Sequence, residues 1–310
     1  MSINPEYYKT PEYNLFNRVI RSFYNFYRYT LLSDEKYVKK RFLKAHGFEL
    51  DLKNPKTLNE KINWLKLNDR RPLHTELADK FRVREYIKKN IGEEYLVPLL
   101  FSTNKVEDIR PENLPDAPFI IKANHDSSGG IVIIDKLNAN WNEIRQELNR
   151  RLALNYYDRS KEWQYKNIEK KIIIEDLLID EGGQAPKDYK FHIINHKTET
   201  ISVDASRGSI EHKRNWYNSE WQRSPFYWPS YKNGKPYAIP ADYEIKRPYN
   251  LNKMITLSEI LSKEFPYVRV DWYEVDNKLY FGEITFHHDS GYSPIIEKKW
   301  DIKLGEKLKL

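Results

Sequence analysis

The chain of 310 residues contains no cysteine, so it cannot form disulfides, bind zinc through thiolates or use a thiolate nucleophile. It has no apolar run near the ~18–20 residues that a membrane-spanning helix requires, and its N-terminus lacks the pattern of a secretory signal peptide. Neither G-x-x-x-x-G-K-[ST] nor G-x-G-x-x-G occurs, which excludes the P-loop and the dinucleotide-binding fingerprint. A cytoplasmic location is therefore expected.

The chain is rich in positive charge and in aromatic side chains. Its formal net charge of +7 predicts attraction to anions such as nucleotides, acidic glycans, anionic lipids or nucleic acid. No nucleic-acid recognition motif occurs, so specific binding to nucleic acid is not expected. The 23 Tyr, 13 Phe and 8 Trp residues suit a packed core, and they also suit stacking on sugars or seating in a membrane interface.

Residues 14–31 have the period of an amphipathic helix, with aromatic and aliphatic side chains on one half and Arg18, Arg21 and Arg28 on the other. Such a helix would lie on an anionic membrane surface, or it would pack on the body of the protein, which is the commoner role. The sequence leaves both interpretations open. If the helix lies on a membrane, the protein would also contact the inner face of the cell membrane peripherally, in addition to its expected cytoplasmic location.

The capping signals and apolar runs predict helices in the N-terminal part of the chain, followed by short strands that alternate with helices. Ser33 should cap a helix that ends at Gly47, residues 57–60 form a capping box, and a helix is expected over 75–90. Residues 205–250 are rich in Trp, Tyr, Pro and Arg and are expected to be an irregular insertion that faces a substrate. The predicted buried strands are 119–122, 130–135, 171–178 and 188–195, and the later helices are 140–156 and 251–265.

A hairpin near the C-terminus would place two carboxylates and an arginine on one face. Strand alternation puts Arg269 and Asp271 on one side of the first strand. It likewise puts Glu283 and Thr285 on one side of the returning strand, and the loop length decides whether these two sides coincide. A two-residue turn would set these charges against the apolar face, whereas a three-residue loop over 276–278 pairs Asp271 with Glu283 and Arg269 with Thr285. The apolar pattern therefore predicts the three-residue loop. The oxygen ligands suit Mg²⁺, although a surface hairpin with paired charges would show the same pattern.

Two upstream segments have features of a nucleotide site. Lys122 precedes a small-residue loop over 124–130, which could fold over phosphates through its backbone N–H groups or be a plain flexible loop. An apolar strand ends in Glu175 and Asp176, which would lie at a nucleotide-binding hinge or be solvated acids at a strand end. Neither segment alone decides between its two interpretations.

In this order the segments resemble the ATP-grasp superfamily. The lysine strand and its loop look like the phosphate-covering segment, IIIEDLL looks like the adenine hinge, and RVDWYEVDNKLYFGEITF looks like the metal-binding motif. The phrases NPKTLNEKINWLKLNDRRPLHTELADKFRVREYI, FIIKANHDSSGG, EWQYKNI, DYKFHIIN and YFGEITFHHDSGY resemble more closely the TupA-like branch, named for teichuronopeptide synthesis in bacterial envelopes. The resemblance covers roughly residues 35–310.

The resemblance implies a role for each matching residue in binding ATP. The lysines and the loop would contact phosphates, Asp176 and Leu178 would bind adenine through backbone groups with Glu175 nearby, and Asp188 would bind the ribose. The implied nucleotide-binding residues are Lys80, Lys122, Ser127, Ser128, Gly129, Gly130, Glu175, Asp176, Leu178 and Asp188.

The resemblance also implies metal-binding and catalytic residues. Asp271 and Glu283 would bridge one or two Mg²⁺ ions, and Thr285 stands where the superfamily usually has asparagine. Arg269 would stabilise the transferred phosphoryl group, and Lys190 could reach the phosphates. Two further groups are candidates for contact with the substrates. Arg207 and Arg214 would bind the acceptor carboxylate or an acidic glycan, or be solvated, and His287 and His288 would handle the proton of an amine or serve a structural role.

The implied fold is α+β, with the nucleotide between two lobes built on antiparallel sheets. Its expected parts are an N-terminal helical region (1–92), a small lobe (93–170) and a C-terminal lobe (171–310). The implied activity is ATP- and Mg²⁺-dependent ligation of an amine or amino acid to a uronic acid of a bacterial surface polysaccharide. The alternatives are a sugar kinase on the same scaffold, a glycosyltransferase, and a non-catalytic protein that binds glycans or membranes.

Overall fold

The computed structural model describes residues 20, 23–127, 129–180, 182–205, 212–232, 235–237 and 239–310. From residue 34 to the first sheet the chain forms four α-helices: α1 (Asp34–His46), α2 (Leu58–Asn68), α3 (Pro72–Ala78) and α4 (Val83–Asn90). Ser33 caps α1 and Gly47 ends it in the left-handed conformation, as predicted. The capping box at the start of α2 is also confirmed, because the side chains of Thr57 and Glu60 each accept the other residue's backbone N–H.

The single helix predicted over 75–90 is wrong, because the chain breaks between α3 and α4. Asp79 Oδ1 accepts the backbone N–H groups of Phe81 (2.8 Å) and Arg82 (3.3 Å), which removes them from a continuous helix. The backbone N–H of Lys80 donates instead to the carbonyl of Asn124 at 3.1 Å. The break therefore joins this turn to the loop that follows the second strand of the chain.

The first sheet has four antiparallel strands in the order β1-β4-β2-β3. They are β1 (Leu99–Thr103), β2 (Phe119–Ala123), β3 (Ile131–Ile133) and β4 (Ile172–Asp176). One face of the sheet carries residues such as Phe119, Ile121 and Ile174, which pack with Ile144 and Leu148. These last two belong to α5 (Trp141–Ala153), which is followed by the short helix α6 (Tyr156–Ser160).

The second sheet has five antiparallel strands in the order β11-β10-β5-β6-β7. They are β5 (Asp188–Ile194), β6 (Lys197–Ala205), β7 (Lys213–Tyr217), β10 (Tyr267–Val275) and β11 (Lys278–Thr285). Between β7 and β10 the chain forms a two-stranded ribbon, β8 (Ser230–Lys232) with β9 (Lys235–Tyr237), and the helix α7 (Leu251–Leu261). The last helix is α8 (Lys298–Lys307). The fold is therefore α+β with two antiparallel sheets, as expected.

Residues 205–250 are more regular than the sequence analysis expected. The segment supplies β7 to the second sheet, forms the β8–β9 ribbon, and buries Trp228 completely. The indole Nε1 of Trp228 donates to the carbonyl of Ser293 at 2.6 Å. Aromatic residues in this segment therefore complete a second part of the core, which explains much of their abundance.

The hairpin of β10 and β11 turns through two residues, so the predicted three-residue loop is wrong. Asp276 and Asn277 have φ values of 50° and 61°, the left-handed conformation that aspartate and asparagine tolerate in tight hairpin turns. The strands pair directly after them, Val275 with Lys278.

A β-bulge in β11 nevertheless produces the predicted pairs around the carboxylates. Asp271 lies opposite two residues, Gly282 and Glu283, and beyond the bulge Arg269 pairs with Thr285. A Cβ atom at Gly282 would lie 3.1 Å from the carbonyl oxygen of Asp271, so a side chain there would be crowded. The pairs that flank the bulge are Val270–Ile284 and Trp272–Phe281.

Candidate active site

The second sheet has one apolar face and one charged face, because successive side chains of a strand point to opposite sides. The apolar face includes Phe191, Val203 and Val270, which form a buried cluster with Met254 and Leu261 of α7. The charged face carries Asp188, Lys190 and His192 of β5, Asp204 of β6, Arg214 of β7, Arg269 and Asp271 of β10, and Glu283 of β11.

Arg269 joins the two predicted metal-binding carboxylates. Its Nε and Nη2 donate to Asp271 Oδ1 and Oδ2, each at 2.7 Å, and Nη2 also donates to Glu283 Oε1 at 2.8 Å. The remaining Nη1 donates to His288 Nδ1 at 2.9 Å. All the nitrogens of one buried guanidinium are therefore used to hold this group together.

Burial and charge act in opposite directions at this cluster. Burial raises the pKa of Asp271, as do Asp188 and Glu283, while Arg269 and Lys190 oppose the increase. Burial alone would lower the pKa of Arg269, but Asp271 and Glu283 hold it above its ordinary value. The group is thus a tightly coupled set of charges in which the arginine stays protonated.

Lys190 is the second cation of the charged face. Its ammonium donates to Asp188 and to Asp271 Oδ2 (2.9 Å), and it lies 3.8 Å from Asp204 Oδ2. The predicted ribose ligand Asp188 is buried and bound to this ammonium. The structure thus brings Asp188, Lys190 and Asp271 together, and Lys190 links three carboxylates.

Arg214 is neither solvated nor directed at an open surface. Its Nε and Nη2 donate to Asp204 at 2.6 and 2.9 Å, and its Nη1 donates to the hydroxyl of Ser230 at 2.8 Å. Burial would raise the pKa of Asp204, but Arg214, His212 and Lys190 keep it well below its ordinary value. The expected acceptor role of Arg214 therefore loses its basis. Arg207, the other candidate, lies outside the described residues.

The donors at the hairpin suit a hard divalent cation. Asp271 and Glu283 present carboxylate oxygens on one side of the hairpin, and the Glu283 side chain is 37% exposed, so it faces open space. Thr285 is close, with its hydroxyl 3.4 Å from Glu283 Oε1. No cluster of three or more Asp, Glu or His side chains is arranged for a metal among the residues that the structure describes. Two carboxylates are nonetheless the usual protein share of a Mg²⁺ site, because waters and phosphates complete its coordination.

The first sheet also has a charged face. Lys122 Nζ donates to Glu175 Oε2 at 2.7 Å, and Arg84 Nη1 donates to Glu175 Oε1 at 3.0 Å. Lys122 and Glu175 belong to the adjacent strands β2 and β4, and Arg84 comes from α4. Lys122 and Glu175 were both expected at the nucleotide site, whereas the contacts of Glu175 with Lys122 and Arg84 were not predicted from the sequence.

The loop after Lys122 is anchored to the break between α3 and α4. The ammonium of Lys80 donates to the carbonyl of Asp126, and Asn124 Nδ2 donates to Asp79 Oδ1 at 2.8 Å. Lys80 therefore lies at this loop. Ser127 and Gly129 are part of the same loop, whereas Ser128 lies outside the described residues.

Gly130 brings the end of this loop against β2. A Cβ atom at Gly130 would lie 2.3 Å from the Ile120 side chain and 3.3 Å from Lys122 Cγ, so only glycine fits without a shift. Arg151 Nη1 holds the neighbouring carbonyl of Gly129 at 2.6 Å. The loop therefore lies close to the face that displays Lys122.

The predicted adenine hinge includes β4 and the residues just after it. The backbone N–H of Asp176 donates to the carbonyl of Pro98 at 3.1 Å, so this group is already paired within the sheet. Leu178 lies just beyond the strand and is half-buried. A purine contact at this position would therefore involve Leu178 or the carbonyl of Asp176.

The two histidines after β11 are fully buried and have different partners. Burial and the nearby Arg269 lower the pKa of His288 well below its ordinary value, so the ring is neutral and accepts the arginine's hydrogen at Nδ1. His287 Nδ1 lies 3.2 Å from Gln164 Nε2 and 3.4 Å from Glu162 Oε2. His288 therefore orients Arg269.

Asp204 is a member of the charged face that the sequence analysis missed. It lies directly opposite Asp188 because β5 and β6 form a hairpin with a two-residue turn at Asn195 and His196, where φ is 46° and 67°. A bulge at Glu199 then shifts the register by one residue. The alternation of β6 was the available signal, but the bulge reverses the face that a simple count assigns to Asp204.

Comparison with known proteins gives one family match. The family model described as TupA-like ATPgrasp matches residues 60–309. No curated protein matches the chain.

Several solved structures are similar over part of the chain. D-alanine–D-alanine ligase from Bacillus anthracis, complexed with ATP, is 15% identical over 68% of this chain and 55% of its own, with a TM-score of 0.39. L-amino acid ligase from Bacillus licheniformis is 13% identical over 84% and 57%, with a TM-score of 0.44. The ATP-grasp ligase PsnB, complexed with minimal precursor, Mg and ADP, is 11% identical over 69% and 52%, with a TM-score of 0.38. The chain spans little more than half the length of these proteins.

Proposed function

Since the chain belongs to the TupA-like ATP-grasp family, with the fold that the sequence resemblance implied, we propose that it is an ATP-dependent ligase that joins a carboxylate to an amine. The observation that supports this most is the placement of Asp271 and Glu283 on one guanidinium, that of Arg269, beside the ammonium of Lys190. Clustered carboxylates and cations of this kind are what phosphoryl transfer requires, because that reaction depends on positioning and charge neutralisation.

ATP would bind between the charged faces of the two sheets. Lys80, Lys122 and the loop over 127–130 would contact the phosphates, the cations by charge and the loop by its backbone N–H groups. Glu175, which holds Lys122 in the structure, would set the position of that ammonium. The remaining nucleotide contacts proposed are Asp176 and Leu178 with the base and Asp188 with the ribose.

Asp271 and Glu283 would hold Mg²⁺, with Thr285 beside them. The ion would neutralise the phosphate oxygens as charge develops on them. The chain's own Arg269 is positioned by Asp271, Glu283 and His288, so its guanidinium stays fixed during the reaction. Cations that are already oriented add electrostatic stabilisation without reorganising at the moment of reaction.

The reaction would proceed in two steps. A carboxylate oxygen of the acceptor attacks the γ-phosphorus in line, the bond to the β-phosphate oxygen breaks, and ADP and an acyl phosphate form. The amine nitrogen then attacks the acyl carbon, the carbon–oxygen bond to phosphate breaks, and the amine loses a proton as the amide forms. Arg269 and Lys190 would stabilise the transferred group, and Arg207 would bind the acceptor carboxylate.

The substrates that we propose are a uronic acid unit of a bacterial surface polysaccharide and an amino acid or another amine. The net charge of +7 favours an acidic acceptor. The family's link to teichuronopeptide synthesis supports the same acceptor class. The protein would act on the cytoplasmic side of the membrane, where ATP is available.

The test is an ADP-release assay over a panel of uronic acids crossed with amines. We expect repeated turnover, with more than one ADP released per enzyme, only when both an acid and an amine are present, because without the amine the acyl phosphate is not consumed. D271N and E283Q should lose at least about a hundredfold in rate, as for other residues that stabilise transferring charge. Matched controls are D276N in the turn of the same hairpin and E306Q on the exposed side of α8.

Each alternative function has its own outcome in this assay. A stable phosphate on the sugar with no need for an amine would indicate a kinase. Binding of a UDP-sugar without binding of ATP would indicate a glycosyltransferase. Full function in D271N and E283Q would refute catalysis at this hairpin.

A further inference from the structure

An exposed aromatic segment precedes α1. Residues 23–26 are helical and a π-helical turn follows over Tyr27–Leu31. The apolar side chains of this segment that point away from the protein are 48–72% exposed, far more than core residues. They are Phe23, Tyr24, Phe26, Tyr27 and Leu31.

The other side of this segment is anchored to the body of the protein. Tyr29 and Leu32 pack against the buried cluster that includes Tyr37 and Phe42 of α1. The ammonium of Lys161 also donates to the carbonyl of Tyr29 at 2.8 Å. The segment is therefore attached by one face and displays the other. Of the predicted helix over 14–31, residues 14–19, 21 and 22 lie outside the described residues.

A basic stripe runs along the outward face of α1, immediately after the aromatic segment. Lys36, Lys40 and Lys44 recur every four residues and are exposed, with Leu43 (46% exposed) between them on the same face. Within the described part of the chain, none of these three lysines has a carboxylate within 4 Å of its ammonium. The opposite side of α1 buries Val38 and Phe42, so the stripe is a true outer face.

We propose that the aromatic segment and the basic stripe together bind the surface of an anionic lipid bilayer. Phenylalanine and tyrosine rings enter the interface between headgroups and acyl chains, and lysines beside them pair with anionic headgroups. Arg28 supports the arrangement, because its guanidinium lies over the rings of Tyr24, Tyr29 and Tyr37 at 5.1–6.0 Å. A second copy of the chain would bring the same lysines into mutual repulsion, so charge favours the lipid surface.

The binding is peripheral. No helix in the described ranges is both long and apolar enough to span a bilayer. The surface lies on elements outside the charged faces that are proposed to hold ATP, so binding to vesicles requires neither ATP nor the ligase reaction.

The test is co-sedimentation of the full chain with vesicles of phosphatidylcholine alone and of phosphatidylcholine mixed with phosphatidylglycerol. We expect the wild type to bind the mixed vesicles and to dissociate as salt is raised, since salt screens exposed charges. The triple variant K36Q/K40Q/K44Q should bind on the order of a hundredfold more weakly, because each lysine near an anionic surface contributes about fivefold. The double variant F23S/F26S should bind at least about tenfold more weakly.

The matched control is K89Q/K105Q/K197Q, which removes the same charge from exposed lysines elsewhere. Its binding should fall by no more than about threefold, the general effect of a lower net charge. Equal loss in the control and in K36Q/K40Q/K44Q would overturn the proposal, as would equal binding to neutral and mixed vesicles. Self-association of the wild type that F23S/F26S abolishes, with no vesicle binding, would assign the surface to a second copy instead. ADP release in solution should be unchanged in all three variants, which separates this proposal from the ligase reaction.

Discussion

Replacing Arg269 with methionine tests whether the guanidinium is what holds the two carboxylates of the candidate site together. In the structure it makes two hydrogen bonds to Asp271 and one to Glu283, and Asp271 is only 2% exposed. Methionine keeps much of the side-chain volume but leaves the buried carboxylate without its main partner. Breaking a buried ion pair in this way costs about 3–5 kcal/mol, and Lys190, still 2.9 Å from Asp271, should keep the loss near the lower end.

The assay is urea unfolding followed by tryptophan fluorescence, with EDTA or with saturating Mg²⁺. R269M should lose about 3 kcal/mol in EDTA, and Mg²⁺ should restore more free energy to R269M than to the wild type, because the freed carboxylates attract the cation. The control is R150M, which removes a 46%-exposed arginine paired with Glu147 and should cost about 0–1 kcal/mol. Equal losses in the two variants, or an equal response to Mg²⁺ in R269M and wild type, would refute the reasoning.

Three further predictions concern other parts of the molecule. Burial raises the pKa of Asp301 to about 6, so ionisation of this carboxyl lowers the free energy of unfolding. This loss of stability is absent below about pH 4 and complete above about pH 6. The unfolding free energy of the wild type relative to D301N should therefore fall by about 3 kcal/mol over that pH range, and a pH-independent difference would contradict the assignment. G130A should weaken ATP binding in calorimetry by about tenfold, because its Cβ meets Ile120 at 2.3 Å, whereas G182A should not; equal affinities would contradict the role of the loop. W228A should lower the unfolding free energy by about 3–5 kcal/mol in urea, and a loss below about 1 kcal/mol would mean that residues 205–250 are not part of the core.

The residue pairs of the charged hairpin could be predicted from the sequence, but the length of its turn and its bulge could not. Alternation and the apolar pattern were enough to pair Arg269 with Thr285 and to bring Asp271 to Glu283. The predicted loop length was wrong because two arrangements give the same register near the carboxylates. One is a three-residue loop without a bulge, and the other is a two-residue turn followed by a bulge. The left-handed conformation of Asp276 and Asn277 and the pairing of Val275 with Lys278, which depend on the folded backbone, distinguish the two.

Local signals predicted the helix caps at Ser33, Gly47 and Thr57 and failed where distant residues compete for the backbone. The helices predicted over 140–156 and 251–265 end earlier, at Ala153 and Leu261. Ser33 caps its helix as expected, because the hydrogen bond it accepts comes from three residues away. The helix over 75–90 breaks instead at Asp79, because Lys80 donates its N–H to Asn124, more than forty positions along the chain. Arg84 was missed for the same reason, since its partner Glu175 is 91 residues away.

The bulges at Glu199 and at Gly282–Glu283 have a consequence for how this sheet can change over evolution. Each bulge adds one unpaired residue between a tight turn and the charged face. The strands therefore pair in one register beside the turn and in another register, shifted by one residue, at the charged face. A residue gained in the Asp276–Asn277 turn can then be balanced by the loss of one at the bulge, with Asp271 and Glu283 still side by side. In relatives of this chain, insertions at these turns should therefore accompany single deletions at the bulges, and an unaccompanied insertion should coincide with loss of the carboxylate pair.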